Sequence, residues 1–343
     1  MVEFFTGKKS QGSFAREVDS GVAAYADSDG MDNADGEFTG GLYVGHKLKS
    51  NINDTTLLEE RYTNNTTRQV SGFYSPLKRY DNNIEFEVTN WWFLYYTLGI
   101  CATADNTPST DLYTHVFNIL DADSYLPSFV LEHIHNAATP EIRNYLGCVV
   151  KKLTLSANKG EAIKASLDYV AQSVKKDATK ETVSNQTITP YLQTESSLVA
   201  DWANSGAYTT GTQVPHVESW TLELDNNQYA EPTCSGGADT IAQPGSQNFI
   251  GTLTLTQRQF DDGYYDYFDG ETVGAIQLYV LRTATDYLKL TFENCEVDSA
   301  PDPIDTTGGI KMQTVKLKLG SIDATTTNRQ AVDDLTDDYY EVL

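Results

Sequence analysis

The residues of this chain that could do chemistry are few and scattered. His133 and His135 form an H-x-H pair in PSFVLEHIH, a spacing that puts both imidazoles on one face of a strand and suits zinc or copper. A third ligand is missing from the neighbourhood, so the pair reads as packing or surface histidines. The acidic run from Asp27 to Glu37, DSDGMDNADGE, invites a calcium reading. With Gly30 in the invariant turn position, however, the first and last ligands of an EF-hand would be Tyr25 and Gly36, so the run reads as a solvated loop. Cys101, Cys148, Cys234 and Cys295 have no C-x-x-C spacing and read as buried thiols. Tyr264, Tyr265 and Tyr267 could stack on a sugar or pack in a core, and core packing is the reading preferred. There is no G-x-S-x-G, no H-E-x-x-H, no phosphate loop and no G-x-G-x-x-G between a strand and a helix. Among 48 Asp and Glu residues some carboxylates are neighbours by density alone, so no glycosidase pair stands out. No catalytic residue, metal ligand or cofactor site is assigned, and the chain is not read as an enzyme.

Composition narrows the partners. The formal charge of -24, from 48 acidic against 24 basic residues in 343, excludes a broad phosphate-gripping surface, which needs clustered cations. Abundant Asp fits either a high-salt habitat or ordinary acidic loops. The start, MVEFFTGKKSQGSFAREV, lacks a basic segment followed by an apolar run, so synthesis in a cytoplasm is expected rather than secretion. The longest uncharged run, Val88 to Ala104, is short for a bilayer span and reads as a buried helix, so no membrane partner is expected.

The elements that must position any site are strands. In YLGCVVKKLTLSANKGEAIKASLDYVAQSV, Tyr145 to Val174, two alternating runs flank Asn158-Lys159-Gly160 and predict a long hairpin. One face is apolar, with Val149, Leu153 and Leu155 against Ile163, Ala165, Leu167 and Tyr169. The other carries Lys152, Thr154, Ser156, Lys164, Ser166 and Asp168. A wet face this orderly is either idle or an inner wall. Upstream, IEFEVTNWWFLYYTLG reads as a strand, then a short aromatic helix closed by Gly99. TPEIRNYLG reads as a short helix capped by Thr139.

A second series repeats this order. VESWTLELDNN stands where YVGHKLKSNIN stood, GTLTLTQRQFDDGYYDYFDG where the strand and aromatic helix stood, and AIQLYVLRT where PSFVLEHIH stood. YLKLTFENCEV and GIKMQTVKLKLGS take the place of the hairpin, with Leu288, Leu290 and Phe292 facing Val315, Leu317 and Leu319. The prediction is a mainly β protein, a duplicated β-sandwich or barrel unit with a short helix in each unit. It divides into an N-terminal arm at 1–37, a first unit at 38–178, a connector at 179–212, a second unit at 213–325 and an acidic C-terminal segment at 326–343.

The series LKRYDNNIEFEVTNWWFLYYTLG, PSFVLEHIH with the hairpin after it, and VESWTLELDNN resembles the tail tube, or major tail, proteins of tailed bacterial or archaeal viruses. The resemblance runs from about residue 40 to 320 and implies a structural virion protein that self-assembles into stacked rings around a channel for viral DNA. It implies partners of three kinds: further copies of the chain, other tail proteins at the tube ends, and DNA that passes without specific binding. The six polar hairpin residues are then candidates to face the lumen, the alternatives being a neighbour or the outside. The stretch Asn51 to Ser75 is too long for a simple loop and carries Leu57, Leu58, Tyr62 and Tyr74, candidates for contact between rings. Family subunits with one unit commonly form rings of six, so two units imply a ring of three with pseudo-sixfold appearance, with six chains as the alternative. A carbohydrate-binding, adhesin-like sandwich is the competing reading from another class.

Overall fold

The computed structural model describes residues 11–16, 42–43, 46–51, 54–61, 72–91, 93–107, 112–120, 126–135, 141–177, 189–204, 206–228, 248–258, 263–284, 286–301 and 311–329. In chain order these form β1 (Gln11–Arg16), β2 (Leu42–Tyr43), β3 (His46–Asn51), β4 (Asp54–Arg61), β5 (Gly72–Glu87), helix α1 (Phe93–Leu98), β6 (Gly99–Thr107), β7 (Leu112–Ile119), β8 (Phe129–His135), β9 (Glu141–Asn158), β10 (Lys164–Val170) and β11 (Ser173–Asp177). A 3-10 turn (Gln193–Glu195) leads to β12 (Ser196–Asp201), β13 (Thr212–Gln213), β14 (Val217–Asp225), β15 (Ile250–Arg258), helix α2 (Gly263–Asp269), β16 (Gly274–Thr283), β17 (Asp286–Ser299), β18 (Met312–Leu319) and β19 (Ser321–Arg329).

Antiparallel ladders join these strands into two layers. One is a continuous wall in the order β3, β5, β10, β9, β14, β15, β18, β17. The other consists of two runs, β2-β1-β8-β9-β11 and β13-β12-β16-β17-β19-β7-β6. Alternation explains why the layers stack: Ile84, Phe86, Leu153, Leu155, Leu167, Leu222, Leu224, Leu253, Leu255, Val315 and Leu317 of the wall are buried. They share one core with Leu131, Leu278, Val280, Leu288, Leu290, Phe292 and Ala324 of the second layer. Each Val, Leu, Ile or Phe among them contributes roughly 1.5–3 kcal/mol by leaving water.

β9 and β17 belong to both layers, and each changes layer at a bulge. Phe129 faces Cys148 while Leu131 faces Tyr145. In the same way Gly274 faces Cys295 while Ile276 faces Phe292. The extra residues bend the strand, with Gly147 at φ 61° and Asn294 at φ 53°, a backbone region Gly and Asn enter most readily. Cys148 and Cys295 sit just after these bends as buried thiols, and burial pushes the Cys295 thiol up to about 12. The bend also corrects one expectation. Leu288, Leu290 and Phe292 pair with Val280, Leu278 and Ile276 and with Thr326, Ala324 and Ile322 in the second layer, rather than with β18. They share the core with Val315 and Leu317 of the wall, because β17 joins β18 only from Glu296 onward.

The same order and registers recur in the two halves of the wall. Leu167 faces Ile84 as Val315 faces Leu255, and Val150 faces Tyr169 as Val297 faces Leu317. Outside the wall, β1 lies between β2 and β8 as β12 lies between β13 and β16. So β1 falls within residues 1–37, β12 falls within 179–212, β13 straddles the 212/213 boundary, and β19 extends to Arg329. Glu141–Gly147 is strand, not the expected helix. Its pairing to β8 on one side and β11 on the other outweighs the Thr-Pro start signal. Asn51 to Ser75 contributes a hairpin in which Leu57 faces Leu77 and Glu59 faces Tyr74.

The link between halves is fastened at Tyr191. Its amide donates to Val88 O and its carbonyl accepts from Ile163 N, each at 2.8 Å, closing the end of the β5–β10 ladder. Arg282 near the end of β16 lies 3.9 Å above the Tyr191 ring, and the Tyr191 hydroxyl donates to Asp286.

Candidate functional site

The hairpin register places the six polar candidates opposite one another: Lys152 faces Asp168, Thr154 faces Ser166 and Ser156 faces Lys164. Lys164 is exposed and the other five are half-buried. Neighbouring strands extend the face. Asn83, Glu85 and Glu87 of β5 lie beside Asp168, Ser166 and Lys164, and Thr221, Glu223 and Asp225 of β14 lie beside Ser156, Thr154 and Lys152. Beyond β14 the rows continue through Thr252, Thr254 and Thr256 to Lys318, Lys316 and Thr314. Sequence reasoning singled out only the hairpin. The alternation in VESWTLELD, GTLTLTQR and MQTVKLKL carried the same signal for the rest of the face.

The chemistry of this face is hydroxyls and matched charges. Asn83 donates to Ser166 Oγ at 2.8 Å and to Asp168 at 2.6 Å. Lys152 pairs with Glu223 at 3.0 Å, Lys164 with Glu161 at 3.0 Å, and Arg258 with Glu218 at 3.0 Å. Lys318 and Lys316 lie 3.1 and 3.5 Å from Asp298. Lys318 first, then Lys316, holds the Asp298 carboxyl below its usual range; Lys159 and Arg258 do the same for Glu218. Solvated pairs of this kind add little stability. What they do is neutralise the lysines, leaving those ammonium groups poorly placed to hold a phosphate backbone.

His133 is buried in β8, and the His135 side chain lies outside what the structure describes, as do the acidic run Asp27 to Glu37 and Tyr62. Among the described residues no group of three or more His, Cys, Asp or Glu could hold a metal ion, and no helix is long and apolar enough to cross a membrane. Leu57 and Leu58 lie on β4 and Tyr74 on β5, described by backbone alone. The aromatic cluster of the second half is engaged with itself: Trp202 stacks on Tyr267 at 4.7 Å, and Tyr264 meets both edge-on at 6.2 Å. These rings border an open cleft of about 470 Å3 that Asp201 and Arg258 complete. Tyr265 and Phe268 are exposed, so the aromatic run is core on one side only.

The sequence profile described as phage tail tube protein matches residues 7–324. The chain belongs to the phage tail tube family. It is therefore a structural protein of the virion tail that assembles with itself into a stacked tube. A solved structure of the SPP1 tail tube, by solid-state NMR and cryo-microscopy, is similar over 45% of this tail tube protein and 87% of its own chain, at 10% identity and a TM-score of 0.33. No curated protein matches the chain.

Proposed function

We propose that the eight-stranded wall is one third of the channel lining, with its polar face turned inward. Lys152, Thr154, Ser156, Lys164, Ser166 and Asp168 then face the lumen together with the threonines of β14 and β15. The observation that carries this reading is the polar face that runs from β5 to β17, over the wall strands whose side chains are described, backed by an equally continuous apolar one. A duct for DNA has to be wetted and must not hold phosphates, and hydroxyls among paired charges meet both needs. The recurrence of ladder order supports reading the chain as two copies of one β unit. On that reading three chains close a ring of pseudo-sixfold appearance, through heterologous contacts.

The long β4–β5 hairpin then reaches the adjacent ring through Leu57, Leu58, Tyr62 and Tyr74. DNA passes without specific binding, other tail proteins meet the tube ends, and the chain is made in the host cytoplasm. Replacing Leu58, Tyr62 and Tyr74 by Ser is expected to give folded subunits that fail to elongate. Unimpaired tubes would remove the hairpin from this role. The inward face is tested with Thr154→Cys and Thr254→Cys and a maleimide too bulky to enter a tube. Both thiols should react in free subunits and be protected in tubes, and equal labelling in the two states would overturn the orientation.

A further inference from the structure

We infer that the ring is sealed by the β3–β4 edge of one chain lying antiparallel on the C-terminal half of β17 of the next copy, with Thr55 opposite Ser299. This rests on the ring reading above and specifies its seam. Among the described ladders β14 is flanked by β15 and β9, whereas β3, its counterpart, has only β5 beside it. The C-terminal half of β9 is flanked by β10 and β14, whereas the last residues of β17, from Glu296 to Ser299, have only β18 beside them among the described ladders. The unpaired edges are therefore those whose counterparts already pair inside the chain. A second copy supplies to each the strand it lacks.

The register follows from the partners each strand shares. Lys49 faces Glu85 where Ser219 faces Thr256, Asn51 faces Asn83 where Thr221 faces Thr254, and Thr55 faces Arg79 where Asp225 faces Ile250. On the other edge Ser299 faces Lys316 where Lys152 faces Asp168, with the same register shift beside it. Inside the chain Asp225 faces Lys152 and Leu224 faces Leu153. Transferred to the seam, Thr55 faces Ser299 and Asp54 faces Ala300.

Backbone alternation agrees with this. Asn226 N donates to Lys151 O at 2.9 Å, so that opposed pair is hydrogen-bonded and the next, Asp225 with Lys152, is the close non-bonded type. In the same alternation Ser299 and Pro301 turn their backbone groups toward their own β18, and Ala300 turns outward. The N–H that Pro301 lacks is thus subtracted from the β17–β18 ladder, which ends at Ser299, and not from the seam. Inside the chain the junction is reinforced by the β7–β19 ladder, for which the second half has no equivalent hairpin, since α2 ends only a short turn before β16. The between-chain seam relies on the wall alone.

A close non-bonded pair is the geometry that accepts a cross-strand disulfide. In assembled tubes of the full chain, Thr55→Cys/Ser299→Cys under mild oxidation is expected to give covalently linked chains, about tenfold in excess of the out-of-register pair Thr55→Cys/Glu296→Cys. Lys152→Cys/Asp225→Cys, which should close within one chain, is the reference for oxidation. Co-assembly of the two single variants yields linked dimers and covers the case in which the double variant assembles poorly. Closed products of three chains support both the seam and the ring of three. Products of six support the seam and overturn the ring of three. No linkage between chains, with the reference pair oxidised, overturns the seam.

Discussion

The two short helices occupy corresponding places after β5 and β15, yet every residue of α1 is buried and none of α2 is. In α1, Phe93 and Tyr96 lie within an aromatic net that includes Phe86 at 5.7 Å from Phe93 and Phe129 at 5.3 Å from Tyr96. The β6–β7 hairpin packs against this helix, and Asn226 from the other half donates to Thr97 O and Val150 O at 2.9 and 3.2 Å. In α2 the chain passes from Asp269 to Gly274 with no hairpin between, and Tyr265 and Phe268 stay exposed. An aromatic run followed by Gly thus encodes the place of a helix. Whether it is core depends on the hairpin inserted directly after it.

The largest effect expected from this contrast is at the buried rings. Phe93→Ala should cost about 3–5 kcal/mol of subunit stability in denaturant titration, against about 0.5 kcal/mol for Phe268→Ala. Equal costs would mean that α2 is also covered in the free subunit. Next comes the link between halves. Asn226→Ala removes two buried donors and should cost about 2 kcal/mol, and a neutral result would show that water satisfies both carbonyls.

The helix ends give a pair of opposite sign, no larger than this. Gly99 closes α1 at φ 98°, and a Cβ there would lie 2.7 Å from Leu120 Cβ, so Gly99→Ala should destabilise by about 2 kcal/mol. After α2 the left-handed position is Glu271 at φ 47°, where Glu271→Gly should stabilise by up to about 1 kcal/mol. Thermal unfolding that shifts the same way in both variants would contradict this.

The smallest effect concerns the cover itself. His115 of β7 is pushed down to about 4 by burial, so it stays neutral in the fold while the unfolded chain takes up a proton near pH 6.5. Its contribution is complete above that value and is lost as pH falls toward 4. The first step, from pH 7 to 6, should cost about 0.7 kcal/mol. His115→Gln should flatten that step in melting experiments, and an unchanged slope would assign the acid sensitivity elsewhere.

Much of this was legible in the sequence because alternation is local. The hairpin around Asn158-Lys159-Gly160, its two faces and Gly99 as a helix end are all read from neighbouring residues. What escaped depends on distant strands. Glu141–Gly147 carries helix-start chemistry but is clamped by β8 and β11, and Leu288 to Phe292 leave β18 because of a bulge at Asn294 that no periodicity announces. The joining of β9 to β14, which turns a hairpin into an eight-stranded wall, is a contact between halves that local pattern does not contain.

The central claim, a polar wall repeated three times around a channel, is tested most directly by a side-chain-resolution cryo-microscopy reconstruction of the assembled tube. The account predicts three chains in each ring, with Thr154, Ser166 and Thr254 lining the channel and β3–β4 of one chain beside β17 of the next. Six chains around one channel, or that face turned toward the outside of the tube, would contradict it.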